Sequence, residues 1–176
     1  MNPIQKKLAA LGITGALSLS AAFLIVPSEG EVRKVYLDPA RILTSCFGHT
    51  GPELRMGQTF TEEECLNQLV ADLHKHDRQL RSVVKVPLSE GEHAAYLSFI
   101  YNVGYGRKDG ANRGRDGFAV LRNGKPSTML SLLNSGQRLK ACDQLLAWIK
   151  IDGKESAGLR TRRAKERKVC LKDLTK

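Results

Sequence analysis

Residues 29–50 read EGEVRKVYLDPARILTSCFGHT. Within this stretch, Tyr36-Leu37-Asp38-Pro39 has the look of a strand running into a turn. Ile42 to Phe47 is rich in β-formers and stops at Gly48. The pattern predicts a small β-lobe over about residues 31–58. Glu29, Asp38 and Thr44 are spaced nine and six residues apart along it. A carboxylic acid and a carboxylate facing each other across a cleft is what glycosidic bond hydrolysis requires: one protonates the leaving oxygen, the other activates or orients water. Glu/Asp pairs are also common on solvated surfaces, so spacing alone does not assign the chemistry.

N-terminal to this block, Leu8–Val26 (LAALGITGALSLSAAFLIV) is 19 residues long and carries no charge. At about 1.5 Å per residue, a straight helix of that length covers roughly 28 Å, close to the ~30 Å of a bilayer core. Ten of the 19 residues are Gly, Ala, Ser or Thr, so the span can enter a bilayer but is poorly held there. The competing readings are a cleaved signal peptide, with Lys6 and Lys7 as its basic start, and a helix of a soluble core. Lys6 and Lys7 precede the span and Glu29, Glu31, Arg33 and Lys34 after it sum to zero. The positive-inside bias therefore puts the N-terminus in the cytoplasm and the remainder outside it. The expected division is a membrane segment, 1–27, and one domain, 28–176, with a β-lobe over about 28–60 and a helical lobe over about 61–176.

C-terminal to the block, Thr61-Glu62-Glu63-Glu64 is a capping box. Leu66, Leu69, Val70, Leu73, Leu80, Val83 and Val84 then keep near-helical spacing, which predicts one long helix from 62 to about 82. A second helix begins at Ser89; its body, residues 94–101, is apolar nearly all round and should be the centre of the helical lobe. Residues 105–126, rich in Gly, Arg and Asn, read as a loop. Further helices are expected at about 127–134, 137–150 and 157–170, separated by Ser135-Gly136 and Asp152-Gly153.

The formal net charge of +10 suits a polyanionic partner. Nucleic acid is not favoured: zinc-finger spacing is missing, and no aromatics interleave with the basic residues. Four cysteines, Cys46, Cys65, Cys142 and Cys170, point to disulfides in an exported chain. They permit three pairings and sequence does not choose between them; their grouping into two halves of the chain favours Cys46–Cys65 and Cys142–Cys170. With no C-x2-C spacing, and with His74, His76 and His93 read as solvated helix residues, no metal and no cofactor are expected.

Three blocks together resemble the phage-type lysozymes, glycoside hydrolase family 24. Glu29-Gly30, Tyr36-x-Asp38 and Thr44-x-Cys46-x-Gly48-His49-Thr50 are similar to that family's active-site block. Asn102-Val103-Gly104 resembles its motif at the end of the central helix, and Gly158-Leu159-x-x-Arg162-Arg163-x-x-Glu166 its C-terminal helix motif. The weak anchor further resembles the signal-anchor-release subgroup of phage endolysins. The resemblance implies an α+β, mainly helical, two-lobed fold joined by a long helix. It also implies hydrolysis of the β-1,4 bond between N-acetylmuramic acid and N-acetylglucosamine of host peptidoglycan. The rival readings are a lytic transglycosylase and a catalytically dead, anchored wall-binding protein.

Under this resemblance Glu29 is the general acid, kept protonated near neutrality by a shielded site. Asp38 stabilises the oxocarbenium-like transition state and Thr44 positions water, with inversion at the anomeric carbon. His49 and Asn102 are hinge or substrate-side residues, and the Arg162-Arg163 pair is a salt-bridge partner in the scaffold. Arg41 stands where the family commonly has Gly; a positive φ there costs about 1–2 kcal/mol. The expected partners are glycan strands and, through residues 8–26, inner-membrane lipid. A monomer is expected in the host periplasm after release from the inner membrane.

Overall fold

The computed structural model describes residues 1–38, 41–110, 114–151 and 153–174. Pro39 of the expected turn, Asp152 of the expected Asp152-Gly153 break and residues 111–113 of the long loop lie outside them.

A two-stranded antiparallel sheet, β1 (Val32–Leu37) and β2 (Leu43–Cys46), forms the β-lobe, with Tyr36 paired to Thr44. Thr61 caps α4 (Glu62–Val83) through a reciprocal box with Glu64, and this helix links the lobes. Ser89 and Glu92 form the same box at the start of α5 (Glu90–Val103). The body of α5 is buried without interruption from Ala94 to Ile100, so other elements must pack around it. α8 (Ala157–Leu171), α4 and the N-terminal segment lie against it, and α6 (Thr128–Asn134), α7 (Arg138–Asp143) and a 3-10 turn (Gln144–Ala147) complete the lobe. The structure differs from expectation at 137–150. That helix stops at Asp143, and a short hairpin, β3 (Lys150–Ile151) and β4 (Lys154–Glu155), follows the 3-10 turn. Gly153, at φ +79°, supplies the left-handed residue the hairpin turn needs.

The largest departure lies at the N-terminus. In place of one straight helix over 8–26, the chain forms α1 (Pro3–Ala10), α2 (Gly15–Ser20), a π-helical turn (Ala21–Ile25) and α3 (Val26–Glu29). The break between α1 and α2 coincides with Gly12 at φ +78° and Gly15 at φ +56°. Those values lie far from helical φ, and only glycine adopts them cheaply. Leu8, Ile13, Ala21 and Ile25 are buried in the same core as Leu97 and Phe99, with α2 and the π turn against α5. In this arrangement residues 1–27 do not stand apart from 28–176, and no described helix is long and apolar enough to cross a membrane.

Two disulfides staple the lobes' interiors, Cys46–Cys65 from β2 to α4 and Cys142–Cys170 from α7 to α8.

Candidate active site

Glu29 is the last residue of α3. Gly30, at φ +71°, ends that helix and turns the chain into β1, so the carboxyl is delivered to the junction of the two lobes. There it meets Arg162 of α8, whose Nη1 donates to Oε1 at 2.5 Å. On the other side lies Gly48. A Cβ at that position would sit 3.1 Å from Glu29 Oε2, and its φ is +82°, so both space and backbone call for glycine.

Asp38 stands at the end of β1. Its Oδ1 accepts from the Ile42 amide at 2.8 Å, and its carbonyl from the Arg41 amide at 2.8 Å, which closes the hairpin tightly. Arg41 has φ +61°, the left-handed conformation in which a side chain is strained. Thr44 sits across the ladder from Tyr36. Its hydroxyl donates to the Ile42 carbonyl at 3.0 Å, which leaves oxygen lone pairs as acceptors.

These three residues line a single cleft of about 380 Å³ between the lobes, together with Tyr36, His76 and Asn102. Burial, then the charges of Glu29 and Asp38, raise the Tyr36 phenol above its usual range, as expected of a ring beside both carboxylates. Asn102 and Arg115 also line a second groove of about 630 Å³ floored by Trp148, so the cleft continues past them along the helical lobe.

Behind Glu29 is a buried ionic cluster. Arg162 Nε reaches Glu166 Oε1 at 3.2 Å, Ser98 Oγ donates to the same oxygen at 2.7 Å, and Arg163 Nη2 donates to Asn102 Oδ1 at 2.5 Å. Arg163 lies over the Phe99 ring, and burial lowers its guanidinium to about 10. Burial raises the Glu166 carboxyl in the opposite sense. Through Arg162 a single guanidinium ties the α8 cluster to Glu29.

His49 stands behind the cleft. Its Nδ1 is 2.7 Å from Asp72 on α4 and its Nε2 is 2.6 Å from Glu53, so it fastens the β-lobe to the connecting helix. The hydrogen bond to Asp72 chiefly raises its pKa, against burial, with Glu53 adding to the rise. Two other histidines differ from the solvated reading. His93 Nε2 is 2.5 Å from Asp77, and His76 lies half-buried on the cleft wall; His74 is exposed. Among the described residues no three His, Cys, Asp or Glu are grouped to hold a metal ion.

Sequence reasoning missed Asp72 and His76 as site neighbours. A signal was present: they are spaced i, i+4 on α4, a polar stripe beside the apolar one of Leu66, Leu69, Leu73 and Leu80.

Comparison with known proteins gives a consistent picture. Residues 27–166 match the phage lysozyme family model. A SAR-endolysin of Bacteriophage PS119 is 36% identical over 97% of this chain and 96% of its own. Among solved structures, the active form of the P1 phage endolysin Lyz superposes with a TM-score of 0.74 at 20% identity, over 97% of this chain and 91% of that one. The secreted inactive form of the same endolysin reaches 0.50 at 19% identity, over 70% and 77%.

Proposed function

This chain belongs to the phage lysozyme family, and on that footing we propose how its cleft works and how it is controlled. It is a phage endolysin, a glycoside hydrolase of lysozyme type that acts on peptidoglycan. The bond cut is the β-1,4 linkage between N-acetylmuramic acid and N-acetylglucosamine. Glu29 protonates the leaving oxygen. Asp38, fixed by the Ile42 amide, stabilises positive charge at the anomeric carbon and holds water with the free lone pairs of Thr44, giving inversion. The observation that carries this reading is the convergence of Glu29, Asp38 and Thr44, from three separate elements, on one cleft.

Control rests on the segment that carries the acid. In the membrane, residues 8–26 form a straight helix with the N-terminus in the host cytoplasm, and Glu29 is held within about 10 Å of the lipid, at some 3.5 Å per residue. On release to the periplasm the segment bends at Gly12 and Gly15, packs against α5 and delivers Glu29 to Arg162 and Gly48. This reading is supported by the uncharged 19-residue run, by the SAR-endolysin relatives, and by the better superposition on the active than on the inactive P1 form.

The full chain, not residues 28–176, is the proper test object, because Leu8, Ile13 and Ile25 belong to the core. Solubilisation of purified peptidoglycan is measured with and without Glu29→Gln. Loss of a general acid should slow turnover about 10²–10⁴-fold while wall binding persists. Activity within tenfold of the parent would overturn the assignment. Mass spectrometry of the products should give reducing ends; 1,6-anhydro ends would favour a transglycosylase.

A further inference from the structure

We propose that His76 is a specificity-determining residue of this cleft: its Nε2 accepts a hydrogen bond from an acetamido N–H of the bound glycan. The proposal rests on the reading of the cleft as a glycan site. It goes beyond the acid, the carboxylate and the threonine.

Four observations converge on it. His76 stands in the C-terminal half of α4 and lines the same cleft as Glu29, Asp38 and Thr44. Its Nδ1 lies 2.9 Å from Gln79 Oε1, an oxygen with no hydrogen to give, so the ring proton sits on Nδ1 and Nε2 is bare. The ring is held in place by Tyr101, whose centroid lies 5.4 Å away at 61°. Tyr101 is itself pinned, its hydroxyl donating to the Phe47 carbonyl at 2.8 Å. A half-buried ring with one nitrogen committed and the other without a partner among the described residues offers a fixed acceptor in a pocket that must hold a sugar rich in donors.

The charge state agrees. Burial is the main cause that lowers the His76 pKa, with Lys75 adding to it and Asp72 and the Gln79 bond opposing. From α5 the facing group is Tyr101, whose own pKa burial raises well above the usual phenol range. Asp72 is engaged by His49. The imidazole is therefore neutral near neutrality, and on protonation Nε2 becomes a donor and the proposed bond is lost.

The test is steady-state kinetics of the full chain on soluble, uncross-linked glycan strands of alternating N-acetylglucosamine and N-acetylmuramic acid. His76→Phe keeps a ring without an acceptor, while His76→Gln offers a carbonyl that does not titrate. The Phe variant should raise KM about three- to tenfold, the worth of one net hydrogen bond, with kcat within twofold. The Gln variant should restore most of the affinity. In the parent KM should climb as pH falls through the lowered His76 value, beneath the usual imidazole range of about 6.5, with no matching step in the Gln variant. Every other titrating group is common to both proteins and cancels in that difference. A Phe variant with parental KM, or a parent and Gln variant with the same KM–pH profile, overturns the proposal. If the Phe variant does not fold, the second comparison decides alone. Failure of the glycan reading itself would look different, because the parent would not cleave the strands.

Discussion

Two stretches of this chain are apolar enough to read as single buried helices, and only one of them is. Residues 90–103 form α5 without a break; residues 8–26 fold into two short helices, a π turn and the start of a third. The difference is not hydrophobicity. The α5 helix begins with a reciprocal capping box, and its one glycine, Gly91, sits in the first turn at a close approach to α8. The N-terminal segment has glycines at positions 12 and 15, in the interior, and no side-chain cap at Thr14. Apolar length predicts that a segment will be buried. It does not say whether lipid or protein will bury it.

That comparison can be broken or sharpened by measurement. Ile25→Ala and Leu97→Ala should each cost about 2–5 kcal/mol, lowering Tm by roughly 5–20 °C, because both side chains are fully buried. A shift of only a degree or two for Ile25→Ala would mean the N-terminal segment is loosely attached. Next come the glycines. An alanine Cβ at Gly91 would lie 2.3 Å from the Val169 carbonyl, so Gly91→Ala forces α5 from α8, at about 1–3 kcal/mol or more. At Gly12 nothing lies within 4 Å of such a Cβ, and only the backbone objects, at about 1–2 kcal/mol. Gly12→Ala should therefore destabilise the released protein less than Gly91→Ala does, and alone of the two should delay lysis by favouring the straight form. Equal lysis timing for both variants would count against the hinge.

The smallest effect concerns how firmly the lobes are joined. The folded-state pKa of His49 is raised above its unfolded value. Its contribution is thus fully present below about pH 6.5 and is lost as pH rises through the raised value. Thermal melts of the parent should decline in that window by on the order of 2 °C, and His49→Asn should flatten the decline. His76, with a lowered pKa, acts in the opposite sense and at lower pH, so the two are separable.

Much of the fold was legible because short-range rules decide it. The capping box at Thr61 announced α4, the apolar body after Ser89 announced α5, the β-formers before Gly48 announced β2, and Arg41 marked a turn that does carry positive φ. What escaped was set by contacts distant in sequence. Asp152-Gly153 signals a turn, but nothing local says that Asp143 ends the helix before it, or that Arg162 spans 133 residues to reach Glu29. The bend at Gly12 was invisible for a related reason: glycine permits a left-handed residue without requiring one, and the packing against α5 selects it. Ring placement escaped too, since the position of His76 on the cleft depends on how α4 rolls against α5.

Ala21 and Ala22, buried with Ser20 where the N-terminal segment meets the core, carry one more consequence. Bulkier residues there would grip a bilayer harder but would find no room once the chain closes up. Under the proposed release from the membrane, such a stretch is judged twice, by two solvents with different demands on size. Mutational drift in it should therefore be narrower than in either an ordinary anchor or an ordinary core helix.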